Sequence, residues 1–141
     1  MKKLWILAAT WALPFGAIAQ SDLELAEFYY NEGSYEQAKL YLEQLWKRNK
    51  TAKVYEMYYA SLLAIDDFDA AEKLVRGRLK NRNNRATAYV ELGTLYAHFD
   101  RDEEAREAFE EALSRLEPGK GKAVSLANAF AASSLLSQVH P

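Results

Sequence analysis

The sequence predicts an all-helical protein, a solenoid of antiparallel helical hairpins, from three observations. After Gln20 no alternating strand pattern of any length occurs, and apolar residues instead recur three and four apart. Breaks of mostly polar and turn-forming residues divide the chain into intervals of a length ordinary for one helix of a hairpin. Two residue series then run in phase: Ala38, Ala71 and Ala105 at intervals of 33 and 34, and Tyr29, Leu62, Tyr96 and Phe130 at 33, 34 and 34. A fixed period near 34 with two helices per unit is the mark of hairpins stacked on their neighbours.

Seven helices are expected in order. The first, near 22–32, carries Leu25, Phe28 and Tyr29 and ends at Asn31-Glu32-Gly33-Ser34. The second, 35–48, has Ala38, Tyr41, Leu42 and Leu45 on one face and stops at Arg48-Asn49-Lys50-Thr51. The third, 52–65, runs to Asp66-Asp67; the fourth, 68–80, carries Phe68, Ala71 and Val75 and gives way to Lys80 to Asn84. The fifth, 85–98, and sixth, 102–115, are separated by Phe99 to Asp102, and the seventh, 122–138, follows Glu117 to Gly121.

The 20 residues before this pattern differ in composition. Lys2 and Lys3 precede an apolar run from Leu4 to Phe15, and Ala17-Ile18-Ala19 closes it. That is the layout of a secretory signal peptide, with cleavage expected after Ala19. The run is about a dozen residues and contains Pro14, short of the roughly 20 that span a bilayer. The expectation is therefore a leader over 1–19, a periplasmic or secreted mature chain over 20–141, and no integral membrane span after cleavage.

Composition narrows the chemistry. The 141 residues are 50% hydrophobic and 27% charged, enough apolar material for a core, with a formal charge of -2. No basic excess points to nucleic acid. Zero cysteines remove disulfides and thiolate chemistry, and His98 and His140 are too few for a multi-histidine metal site. No cofactor is expected. Gly119-Lys120-Gly121-Lys122 lacks both the spacing and the hydroxyl of a phosphate loop, because Ala123 follows. Asp100, Asp102, Glu104 and Glu111 have spacings usable by a calcium loop, but Ala105 stands where its glycine is required. Asp66, Asp67, Asp69 and Asp102-Glu103-Glu104 read instead as first-turn carboxylates at positive helix ends. Lys73, Arg76, Arg78 and Lys80 read as a solvated outer face.

The most specific wording is Tyr89-x-x-Leu92-Gly93-x-x-Tyr96, then Ala105-x-x-x-Phe109, Ala112 and Pro118. It resembles the tetratricopeptide repeat, with Tyr89 where that family usually has Trp. A first unit keeps Leu25-Ala26-x-x-Tyr29, Gly33-x-Tyr35, Ala38 and Leu42 but has Asp22 in place of the aromatic. A second has Tyr58-Tyr59 where Leu-Gly is usual and keeps Leu62, Phe68, Ala71 and Val75. Ala123-x-x-Leu126-Ala127-x-x-Phe130 begins a fourth. The units fall at about 20–52, 53–85 and 86–119, with a C-terminal helix over 122–138.

The resemblance implies a right-handed α-solenoid, non-enzymatic, whose first helices line a concave groove for a partner protein's extended segment or helix. Carried over by register, that groove would hold Leu23, Glu27, Tyr30 and Asn31, then Glu56, Ala60, Leu63 and Ala64, then Val90, Thr94, Ala97 and His98. Leu23 and Glu27 stand where family members that grip an acidic peptide C-terminus place Lys and Asn, which argues against that clamp here. Two alternatives accompany this adaptor reading. The solenoid could be the N-terminal docking module of a longer exported protein, or it could self-associate through Ala123 to Val139, which carries no charged residue. Paired carboxylates such as Glu27 and Glu56 would suit a glycan hydrolase, but a helical solenoid supplies no deep pocket by itself.

Overall fold

The computed structural model describes residues 15–115, and side chains from residue 22. They form six α-helices: α1 (Phe15–Asn31), α2 (Tyr35–Arg48), α3 (Ala52–Ala64), α4 (Phe68–Arg78), α5 (Arg85–His98) and α6 (Asp102–Ser114). A single 3-10 turn, Arg82–Asn84, precedes α5. Among the described residues there is no strand. The all-helical class and the alternation of first and second helices agree with the repeat pattern. The expected leader over 1–19 lies largely outside the described residues, and the C-terminal helix over 122–138 wholly so.

The largest boundary difference is at the start of α1, and α4 ends at Arg78 rather than at residue 80. The first helix begins at Phe15 rather than near residue 22. No proline or turn-forming cluster lies between Gly16 and Asn31, so nothing local stops helix propagation there.

The chain divides into two compact units, one up to Tyr58 and one from Tyr59 onward, the division falling inside α3. In the first unit α1 and α2 form a hairpin. Ala26 and Ala38 are fully buried, and their small side chains let the helices approach. Leu42 and Leu45 complete the buried stripe of α2. Tyr29 stacks on Tyr41 at 5.7 Å, filling space within the hairpin. At the start of α3, Val54, Tyr55, Met57 and Tyr58 are buried, and Trp46 packs against Tyr55 at 5.5 Å.

In the second unit α4, α5 and α6 enclose a core of Val75, Leu92, Tyr96, Ala105, Ala108 and Phe109. Phe109 is fully buried, as are Ala71, Leu95 and Ala105. Phe68 opens α4 and meets Tyr96 at 6.0 Å and Phe99 at 5.2 Å.

The hairpin turns repeat one geometry. Gly33, Asp66 and Asp100 all take left-handed backbone conformations, with φ of 74°, 55° and 56°. In each turn the following amide bonds back to the helix: Ser34 to Tyr29, Asp67 to Leu62 and Arg101 to Tyr96, all at 2.9 Å. A left-handed residue with such a back-bond is the ordinary way a helix satisfies its last carbonyls before reversing. Asp67 then caps α4, its carboxylate accepting from the Ala70 amide at 3.2 Å.

Candidate functional site

The register positions expected to line a groove sit on the three first helices. On α1, Leu23, Glu27, Tyr30 and Asn31 share a face by their spacing. Leu23, Glu27 and Tyr30 are half-buried and Asn31 is exposed. Tyr30, adjacent to the stacked Tyr29, turns its ring edge-on to Tyr35 at 5.7 Å. The Glu27 carboxylate is joined to Lys53 Nζ at 2.5 Å, which ties α1 to the start of α3. A carboxylate already paired in this way presents less net charge to a ligand than the sequence suggests.

On α3, Glu56 and Ala64 are exposed, while Ala60 and Leu63 are half-buried. On α5, Val90 and Ala97 are half-buried and pack against the α4–α6 core, whereas Thr94 and His98 are exposed. The Thr94 hydroxyl donates to the Val90 carbonyl at 3.0 Å, a bond within the helix. His98 stands edge-on to Phe99 at 5.0 Å. Each first helix thus carries part of the expected set on one face. Leu63 and Val90 contribute apolar surface, and Thr94 and His98 contribute polar groups within the second unit.

Of the four cations expected on a solvated face, Lys73, Arg76 and Lys80 are exposed and Arg78 is half-buried, and Arg76 and Arg78 also pair with carboxylates. Arg76 donates from Nη2 to the Tyr96 hydroxyl at 2.7 Å and from Nε to Glu72 Oε1 at 2.9 Å, and Tyr96 itself donates to Glu72 at 2.5 Å. The Tyr96 hydroxyl bond, helped by Arg76, holds the Glu72 carboxyl below the usual carboxylate range; burial and the same carboxylate raise Tyr96. Arg78 pairs with Glu91 on α5. Near that pair, burial first and the Glu91 charge second push the Tyr59 hydroxyl up to about 12. Lys73 and Lys80 remain exposed as expected. Sequence periodicity assigned all four cations to one helix but carried no information on which would meet a carboxylate from α5.

A second feature was not legible either. The Arg48 guanidinium bonds Asp22 Oδ2 at 2.9 Å, and Arg115 lies over the Tyr89 ring at 5.1 Å. Both pairs are 26 residues apart and occupy the same positions in their hairpins. Where the first unit has Asp22 instead of an aromatic, the arginine therefore keeps its place and exchanges a ring contact for an ion pair. Arg101 similarly covers Phe68 at 4.6 Å and Tyr96 at 5.3 Å.

Among the described residues no group of three or more His, Asp or Glu side chains is placed to hold a metal ion, and no helix is long and apolar enough to cross a membrane. Residues 23–51 and 86–115 match the family model of the tetratricopeptide repeat. Comparison with curated proteins finds no match. The two matched segments coincide with the α1–α2 and α5–α6 hairpins, and repeats of this family commonly mediate protein–protein interaction and are typically not catalytic. These two segments, each folded as a helical hairpin, are similar to tetratricopeptide repeats and support a chain that contains such repeats.

Proposed function

We propose that the protein is a non-enzymatic scaffold or adaptor of the cell envelope that holds an extended segment or helix of a partner protein on the faces of its first helices. The observation that carries this reading is the pair of repeat matches over 23–51 and 86–115. Support also comes from the side chains that hairpin packing leaves accessible at the groove positions. Leu23, Tyr30, Leu63 and Val90 supply half-buried apolar surface, and Asn31, Glu56, Thr94 and His98 supply hydrogen-bonding groups beside it. Such a mixture suits a ligand held by apolar anchors and oriented by polar contacts. The envelope address rests on the Lys2-Lys3, apolar run and Ala17-Ile18-Ala19 pattern.

The test is affinity capture from envelope extract with the parent chain, Leu63→Asp, Val90→Asp, and Lys73→Glu as an outer-face control, with helicity checked by circular dichroism. Partners retained by the parent and the control and lost by both groove variants support the reading. Equal capture by all four chains refutes it. Mass spectrometry of the exported protein tests the address, with Gln20 expected as the first residue.

A further inference from the structure

Charge in the second unit is sorted by end. Because α4, α5 and α6 alternate in direction, the start of α4, the end of α5 and the start of α6 lie together, as the Arg101 contact with Phe68 demonstrates. That end carries Asp66, Asp67, Asp69, Asp100, Asp102, Glu103 and Glu104, against Arg101, which is paired with Glu104, Arg106, which is paired with Glu103, and His98. The opposite end comprises the end of α4, the start of α5 and the end of α6, brought together by Arg115 over Tyr89 and by Arg85 Nε donating to the Leu79 carbonyl at 2.8 Å. It carries Arg78, Lys80, Arg82, Arg85 and Arg115, beside Glu110 and Glu111 of α6, the second of which pairs with Arg115.

Helix macrodipoles account for only part of this. Acidic first turns and basic last turns are favourable on α4, and the acidic first turn is favourable on α6. On α5 the pattern is reversed: Arg82 and Arg85 stand at its positive end with no acidic residue in its first turn, and Asp100 follows its negative end. The charges therefore follow the end of the unit, not the polarity of each helix. Part of this charge is consumed internally, by Arg78 with Glu91, Arg115 with Glu111, Arg101 with Glu104 and Arg106 with Glu103, and part is not. Lys80 and Arg82 make no ion pair among the described residues, and neither do Asp69, Asp100 and Asp102; all five are exposed.

We infer that the basic end of this unit, centred on Lys80 and Arg82, docks the acidic end of a second copy of the chain, centred on Asp69 and Asp102. A second copy is the partner whose complementary surface is itself on this molecule. Nucleic acid and lipid fit less well. The described part of this unit has no exposed large apolar side chain to insert into a bilayer, and Tyr89, the ring at the basic end, is covered by Arg115. Contact between unlike ends is heterologous, so each added copy leaves one basic and one acidic end open and assembly grows as a chain. The inference is independent of the groove.

Sedimentation of the full chain across a concentration range tests it, at about 0.01 M and about 1 M salt, where charges act over about 30 Å and about 3 Å. Association at low salt that weakens by about tenfold or more at high salt is expected. Lys80→Glu with Arg82→Glu, and separately Asp69→Lys with Asp102→Lys, each yield a monomer, and mixing the two reversed chains restores association as a chain in which the two variants alternate. Circular dichroism verifies that each is folded, and Lys80→Gln with Arg82→Gln gives a milder loss. A parent that stays monomeric at low salt overturns the proposal. So does association that persists in both reversed chains or strengthens with salt, which would place the contact on apolar surface.

Discussion

Gly93 on α5 faces the ring of Phe109 on α6 so closely that a Cβ added at Gly93 would lie 2.6 Å from Phe109 Cζ. The ring has no room to retreat, because Phe109 is fully buried among Val75, Leu92 and Tyr96. The glycine is thus what lets the two helices of this hairpin close onto an aromatic core residue.

Gly93→Ala is therefore expected to destabilise the protein by roughly 1–3 kcal/mol, the range for overpacking a core. In an open helix the same change would gain about 1 kcal/mol through propensity, so the sign separates the two effects. Urea denaturation measures it. Combining Gly93→Ala with Phe109→Leu should recover part of the loss, and a single variant as stable as the parent contradicts the close approach.

At the turns the sign reverses between residues. Gly33 has open space around it and a φ of 74°, so Gly33→Ala should cost roughly 1 kcal/mol through backbone conformation alone. Asp66→Gly and Asp100→Gly relieve the same left-handed strain and should leave stability unchanged or raise it by up to about 1 kcal/mol. Denaturation midpoints of the three variants compare them directly.

Glu72 makes stability acid-sensitive. Its folded carboxyl titrates below the ordinary value of 4.5, chiefly because it accepts from the Tyr96 hydroxyl. The stabilisation is complete above that ordinary value and is lost as pH falls through the lower folded one. Glu72→Gln should therefore lower stability at neutral pH and flatten its decline below about pH 4.5. Thermal midpoints that fall with acid equally steeply in both chains would disprove the role.

Tyr59 acts at the opposite extreme. Its hydroxyl is raised from 10.0 to about 12 by burial and then by Glu91, so the neutral form stabilises the fold below pH 10 and that contribution is lost between pH 10 and about 12. Tyr59→Phe should remove this portion of the alkaline decline while leaving helicity at neutral pH intact. An unchanged alkaline profile would count against a buried, neutral Tyr59.

Much of the helical layout was legible without the structure because its causes are local. Apolar residues three and four apart, together with Asn31 to Ser34, Asp66-Asp67 and Phe99 to Asp102, mark helix faces and reversals from neighbouring residues alone. The start of α1 differs from the expectation because a leader-like pattern ending at Ala19 describes composition and sets no local barrier to a helix. Of the residues expected to line a groove, the helix period placed Leu23, Glu27 and Tyr30 on one face, but the Lys53 partner of Glu27 comes from another helix.

The sequence by itself determined the helical class, the repeat period and which face of each helix is apolar, since these depend on residues within one or two turns of each other. Only the tertiary structure decided that Asp22 meets Arg48, that Arg76 joins Glu72 to Tyr96, and that Lys80, Arg82 and Arg85 lie at one end of the α4–α6 unit and Asp69, Asp100 and Asp102 at the other. Those relationships arise when antiparallel helices close on small residues such as Ala26, Ala38 and Gly93. The crossing sets which side chains meet across 20 or more residues of chain, and no periodicity along one helix contains that information.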